Sequence, residues 1–315
     1  MDETLNSSNN GQSKETNICT KKKIKNLVMS GGGIKGIAHI GALCALEDNG
    51  YLRDVDTIAG TSIGAFIGIL ITIGYKPKEL YEFVTIFDIA KMGSLKPNHF
   101  LNKYGLDDGS KIIMVVKKMF VNKGVPENIT FGELYNINKK KIIMTVTCIN
   151  NKKAYYYSAD TFPDMPIIKT LRMSISVPLY FTPIEHEGYM YVDGGCIDNY
   201  PIQLFKEELD QTIGIFISDV RDHVEKIINF EDILINTIMS MIEGVSKNSM
   251  KGYEKYSIVV SLAKFNLMDL NLTKEKKQEL YDAGYNSIIN NLDTLCSMPH
   301  SKKDSQSSKS TNLEA

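Results

Sequence analysis

IKNLVMSGGGIKGIAHIGALCALEDNGYLRDVDTIAGTSIGAFIGILITIGY, residues 24–75, contains two strand-to-helix turns in succession, both rich in glycine. IKNLVMS (24–30) is an apolar run of strand length and VDTIAG (55–60) is another. Each gives way through glycines to a helical pattern, near 34–48 and over 63–74. The same alternation continues outward. KIIMTVTCI (141–149) and KAYYYSA (153–159) read as a strand pair, and YMYVDG (189–194), TIGIFIS (212–218) and YSIVVSL (256–262) as further strands. Helical patterns fall at 77–86, 109–121, 164–175, 201–208, 230–250 and 273–292. Strands interleaved with helices imply a largely parallel sheet covered on both faces, with ligands bound beyond the carboxyl ends of its strands.

The first turn, Gly31-Gly32-Gly33-Ile34-Lys35-Gly36, lets the backbone bend tightly and aim several N–H groups at one point in front of a helix N-terminus. It is an anion receptor, and it also fits the dinucleotide fingerprint, with Asp54 and Asp56 about 20 residues on, where a ribose-binding acid belongs. The second turn, Gly60-Thr61-Ser62-Ile63-Gly64, is the nucleophile-elbow pattern GxSxG, which exposes the Ser62 hydroxyl; the bland alternative is a helix N-cap serine. A dinucleotide fold has no use for an elbow, whereas a hydrolase uses both turns, one for attack and one to hold the oxyanion. The third constellation is Asp193-Gly194-Gly195 after the strand YMYV. It supplies the base a serine hydroxyl needs, though alone it has the composition of an ordinary turn.

In this order and at these intervals, GGGIKG, GTSIG and DGG resemble the patatin-like phospholipase family. RMSISVPLYFTPI (172–184) is similar to that family's stretch before its Asp-Gly-Gly, and FNLMDLNLTKEKKQELYDAGYNSI (265–288) to its closing strand and helix. The resemblance implies an α/β/α sandwich and a Ser–Asp dyad without a catalytic histidine. Ser62 then matches the nucleophile, Asp193 the base, and Gly31, Gly32 and Gly33 the oxyanion loop. Lys35, Gly36, Gly60, Gly64, Gly194 and Gly195 support the motifs, Lys35 standing where many members have Arg. The implied activity is hydrolysis of fatty acyl esters of phospholipids or other lipids, with transient contact to a membrane surface. No cofactor, no metal and no nucleic acid are expected.

Three rivals follow from the same residues. A Ser–His–Asp esterase is one, with Asp219 and His223 in α/β-hydrolase order, or with His186 near Asp193. A non-catalytic lipid binder on the same scaffold is another, and a nucleotide-dependent oxidoreductase built on GGGIKG the third. His39 reads as a helix residue packed behind the glycine loop.

The 315 residues, net charge −1 and 43% apolar content give nothing that favours nucleic acid and allow a core large enough to dry a site. Five scattered cysteines without a CxxC pair suit reduced thiols. Residues 1–23 and 293–315 are polar and are expected to be disordered tails flanking a hydrolase domain over 24–292, its motif-bearing core at 24–205 and its completing part at 206–292. The polar N-terminus is not expected to act as a signal peptide. The most apolar stretch, 63–73, is too short to span a bilayer, so a cytoplasmic or peripheral membrane location is expected. IFDIAKMGSLKPNHFLNKYGL (86–106) reads as a lipid-facing rim or as plain helix-and-loop packing.

Overall fold

A computed structural model describes residues 22–87, 100, 102–219, 227, 230–262 and 272–297. The expected tails lie largely outside these residues. So do most of the 86–106 segment, His223, and the start of the 265–288 segment.

The strands are β1 (Asn26–Met29), β2 (Thr57–Thr61), β3 (Gly105–Asp107), β4 (Lys141–Cys148), β5 (Lys153–Tyr157), β6 (Leu179–Phe181), β7 (Ile184–His186), β8 (Tyr189–Asp193), β9 (Thr212–Asp219) and β10 (Ser257–Leu262). The helices are α1 (Ile37–Asp48), α2 (Ile63–Thr72), α3 (Pro77–Ile86), α4 (Ser110–Asn122), α5 (Phe131–Asn138), α6 (Ile167–Ser174), α7 (Phe230–Met250), α8 (Lys274–Ile289) and α9 (Leu292–Ser297). Strands β10, β9, β1, β2 and β4 run parallel in that order, β5 pairs antiparallel with β4, and β3 and β6 form a separate small ladder.

Strand β4 organises the site. It pairs with β5 along one edge from Met144 to Cys148. On its other edge Lys141–Thr145 pair with β2, and Val146–Cys148 pair with the antiparallel β8. Strands β2 and β8 therefore run toward each other along one flank of β4 and stop at adjacent registers: Thr61 opposite Thr145, Asp193 opposite Val146. One residue of rise, about 3.4 Å, separates those registers. This meeting of two strand ends brings Ser62 and Asp193 together.

The core follows the period of two expected of strands covered on both sides. Leu27, Met29, Ile213, Ile215 and Ile217 face the larger cluster, with α1, α2, α3, α4 and α8. Val28, Ala59 and Phe216 face a smaller one with Tyr200, Ile202 and Phe205. The second face is closed partly by turns: the helix expected at 201–208 is a single 3-10 turn, Ile202–Phe205. Pro201, which lacks an N–H, starts it. Strands β3, β6 and β7, each three residues, and helix α5 were not expected from the sequence. Helix α5 does carry a readable start: Thr130 and Glu133 form a capping box. No described helix is long and apolar enough to cross a membrane.

Candidate active site

Ser62 occupies the turn from β2 into α2 with φ 54° and ψ −122°, a conformation an L-residue holds only under constraint, at a cost of about 1–3 kcal/mol. The turn is held on every side. Ser62 N–H donates to Ser174 Oγ at 3.1 Å, which in turn donates to the Thr145 carbonyl at 2.8 Å. Thr61 Oγ1 donates to the Asp198 carbonyl at 3.0 Å. A methyl group at Gly64 would stand 2.4 Å from the Met29 carbonyl oxygen, so only glycine lets α2 start this close to β1. The N-cap reading of Ser62 fails, because its side chain caps nothing.

Asp193 ends β8 and is 2% exposed; Ser62 is 8% exposed. Asp193 Oδ1 accepts the Gly195 N–H at 2.8 Å. Oδ2 is buried with no hydrogen-bond partner, and the Ser62 hydroxyl stands against the carboxylate as a donor, short of a fully formed bond. Such bonds are commonly loose until substrate is present. Desolvation pushes the Asp193 carboxyl up to about 7, with the Ser62 and Gly195 donors pulling it back. A second buried carboxylate five residues on, Asp198, is hydrogen-bonded at both oxygens. Its Oδ1 accepts the Tyr200 N–H at 3.1 Å, and its Oδ2 accepts the Tyr156 hydroxyl at 2.8 Å and the Gln203 amide. Of the two, only Asp193 has an oxygen that accepts no hydrogen bond.

The glycine loop faces the same point, with one correction to the three-donor expectation. Gly31 N–H is already donated to the Asn199 carbonyl at 3.0 Å, and an amide so engaged has nothing to offer an oxyanion. No described hydrogen bond engages the amides of Gly32 and Gly33, and Gly33, at φ 53°, borders the same cavity as Ser62. Lys35 is buried in the turn that follows.

No described histidine bonds to Ser62 or Asp193. His39 is buried behind the loop, as its helical position suggested; its Nε2–H donates to the Ser30 carbonyl at 2.8 Å, and burial lowers its pKa to about 4, so it is neutral. His186 Nδ1 accepts from Lys169 Nζ at 2.9 Å. Cys196, beside the Asp-Gly-Gly turn, is an inert thiol, pushed up to about 12 by burial and then by the Asp193 charge. Asp54 and Asp56, the expected ribose ligands of a nucleotide site, are engaged with Lys23 and Thr57. Among the described residues no three His, Cys, Asp or Glu side chains are gathered to hold a metal ion.

Ser62 opens into a cavity of about 260 Å³. Ser62, Ile63, Phe66, Ile67 and Leu70 form one face of it, a helical stripe about 12 Å long. Helices α3 and α4 line it through Leu80, Phe83, Val115 and Met119, and Tyr180 and Phe181 line it as well. Apart from the Ser62 and Tyr180 hydroxyls, its side chains are apolar.

Comparison with known proteins gives the chain's family and fold. A family model described as patatin-like phospholipase matches residues 27–206. An uncharacterized protein of Acanthamoeba polyphaga mimivirus is 32% identical over 85% of this chain and 94% of its own length. The "probable lipid hydrolase" of Invertebrate iridescent virus 6 is 30% identical over 58% of this chain and 63% of its own. The lysophospholipase NTE1 of Candida albicans is 28% identical over 66% of this chain, which spans only 14% of that protein. Among solved structures, VipD from Legionella pneumophila superposes with a TM-score of 0.60 at 17% identity, over 86% of this chain and 67% of its own, a likeness of fold.

Proposed function

The chain belongs to the patatin-like phospholipase family, and from that premise we propose that it cleaves fatty acyl esters of phospholipid type through Ser62 and Asp193, by way of an acyl-serine intermediate. That it is a lipid hydrolase follows from the family and from the relatives' names. The finer reading rests on one observation: a strained serine stands beside a buried carboxylate with one unpartnered oxygen and lines an apolar cavity.

The substrate's acyl chain lies along α2, with its ester carbonyl oxygen toward the Gly32 and Gly33 amides. Asp193 takes the hydroxyl proton as Ser62 Oγ attacks the carbonyl carbon. The tetrahedral oxyanion collapses, the ester C–O bond breaks, and the leaving alcohol receives the proton from Asp193. A water molecule then attacks the acyl-Ser62 ester while Asp193 takes its proton. The fatty acid departs and the proton returns to Ser62 Oγ. An ordinary aspartate, with a pKa of about 3.9, is too weak a base for these steps; one raised to about 7 by its dry surroundings is poised for them.

The test is mass spectrometry of products from a defined panel of phospholipids, lysophospholipids and glycerides, with Ser62→Ala alongside. Fatty acid release by the wild type and none by Ser62→Ala is expected, together with labelling of Ser62 by a fluorophosphonate. Absence of labelling would return the protein to the lipid-binder class. The acyl assignment has its own check. Leu70→Phe fills the far end of the cavity and should exclude about two methylenes, lowering kcat/KM for long-chain esters about tenfold while sparing a butanoyl ester. Equal losses on both esters would remove the chain from that cavity.

A further inference from the structure

Three separate parts of the chain supply the proposed site: the glycine loop, the elbow and the base turn. They converge on one dipeptide, Asp198-Asn199. The Asp198 carbonyl accepts Thr61 Oγ1 at 3.0 Å, and the next carbonyl, that of Asn199, accepts Gly31 N–H at 3.0 Å. The Asn199 side chain, itself buried, fills the gap between the other two parts. Its Oδ1 lies 2.1 Å from where a methyl group on Gly31 would sit and 2.7 Å from where one on Gly195 would sit. Both glycines are thus required by the same oxygen. Its Nδ2 donates to Ser246 Oγ on α7 at 2.7 Å, and Ser246 Oγ donates onward to the Ile242 carbonyl at 2.6 Å. Ser246 is the one buried residue of α7 among those described.

We propose that Asn199 is a positioning residue: its amide is the spacer that fixes the oxyanion loop against the base turn, and α7 fixes the spacer through Ser246. This rests on the assignment of Gly32–Gly33 as oxyanion donors and Asp193 as base. The slot demands an uncharged, planar group with an acceptor toward two Cα atoms and a donor toward α7. Alanine leaves the slot empty. Aspartate fills it but places a second carboxylate against Gly195, whose N–H serves Asp193. Neither change touches the acyl cavity, which Asn199 does not line.

The experiment measures kcat, KM and the pH dependence of kcat on a short soluble ester for Asn199→Ala, Asn199→Asp and Ser246→Ala, with thermal melts as the control for folding. Displacing catalytic groups by about 1 Å costs up to 10²-fold, so Asn199→Ala should lower kcat about 10- to 100-fold with KM within about twofold of wild type. Asn199→Asp should move the acid limb of kcat upward by about one pH unit, because it sets a second carboxylate against the base turn, while the fall in kcat at unchanged KM in Asn199→Ala is what a purely structural role would not give. Ser246→Ala leaves the buried Asn199 amide donor without its partner and should lower kcat about threefold at unchanged KM, with a melting temperature lower by a few degrees and the protein still folded. Wild-type kcat in Asn199→Ala, or an unmoved acid limb in Asn199→Asp, overturns the proposal. Should the Asn199 variants not fold, wild-type kcat in Ser246→Ala overturns it. Failure of the underlying reading is separate, since it appears as turnover by Asp193→Asn whatever the Asn199 variants do.

Discussion

Asp193→Asn is expected to lower kcat by about 10³-fold while leaving the fold intact. The amide has the carboxylate's shape, and its oxygen still accepts the Gly195 N–H that Oδ1 accepts at 2.8 Å. What is lost is a carboxylate oxygen, Oδ2, that has no formed hydrogen bond, in a group on which the Ser62 hydroxyl acts. An amide nitrogen in its place donates where the reaction needs an acceptor. In the wild type the same group sets the acid limb. Turnover should fall as pH drops through about 7, where Asp193 takes up its proton, and that limb should vanish from whatever activity the variant keeps. Stability moves the opposite way. The folded-state pKa lies above the ordinary 3.8, so the native state binds this proton more tightly than the unfolded chain does. The resulting stability is complete below about pH 4 and is lost as pH rises through about 7. Above pH 7, Asp193→Asn should therefore melt no lower than wild type and plausible losses of fold are not an alternative account of its inactivity. Steady-state kinetics and melts across pH 5–9 check both statements, and a variant with more than about a tenth of wild-type kcat would leave Asp193 without its role as base.

Arg172→Ala is expected to destabilise the protein by about 3–5 kcal/mol, the range seen when one partner of a buried charged cluster is removed. Arg172 sits in α6 and is almost wholly buried. Its Nε and Nη2 donate to the Asp108 carbonyl at 3.2 and 3.0 Å, Nη2 also to the Thr182 carbonyl at 3.0 Å, and Nη1 to Ser176 Oγ. The guanidinium lies 5.2 Å from the Phe181 ring centroid. Removing it leaves buried carbonyls without donors and the Asp107 and Asp108 charges without their cation. At a few degrees per kcal/mol for a domain of this size, the melting temperature should drop by about 10 °C. Activity should fall as well. Phe181 lines the cavity, and the Ser176 carbonyl accepts the Asp193 N–H at 2.8 Å, so one side chain braces both the cavity and the proposed base. Arg172→Lys keeps the charge but cannot make four hydrogen bonds to these three acceptors, and should recover only part of the loss. A melting temperature within about 2 °C of wild type for Arg172→Ala would refute this account.

The two strand-to-helix turns were legible because glycine and serine are needed there for backbone reasons, and backbone needs leave fixed spacings. Ser62, with its positive φ between Gly60 and Gly64, is such a position. Asp193 was legible only beside the other two motifs; as a lone Asp-Gly-Gly it has the look of any turn. The supporting polar groups carried no mark. Ser174, Asp198 and Asn199 act through single hydrogen bonds between segments more than a hundred residues apart, or through carbonyls that any residue could supply. The same reasoning covers Gly31: its amide looked equivalent to its neighbours until Asn199 was seen to occupy it. The short strands β6 and β7 were hidden because three residues are too few for alternation to register.

Strand β4 donates no atom to the proposed chemistry, yet it is the gauge bar against which both reacting groups are set. Ser62 and Asp193 each take their height from a neighbouring rung of it, approached from opposite directions. Residues can be gained or lost in the loops on either side without disturbing that calibration. A single residue inserted between Thr145 and Val146 would push the two groups apart by about 3.4 Å and turn one of them to the opposite face of the sheet, taking Val146 and Cys148 out of the core with it.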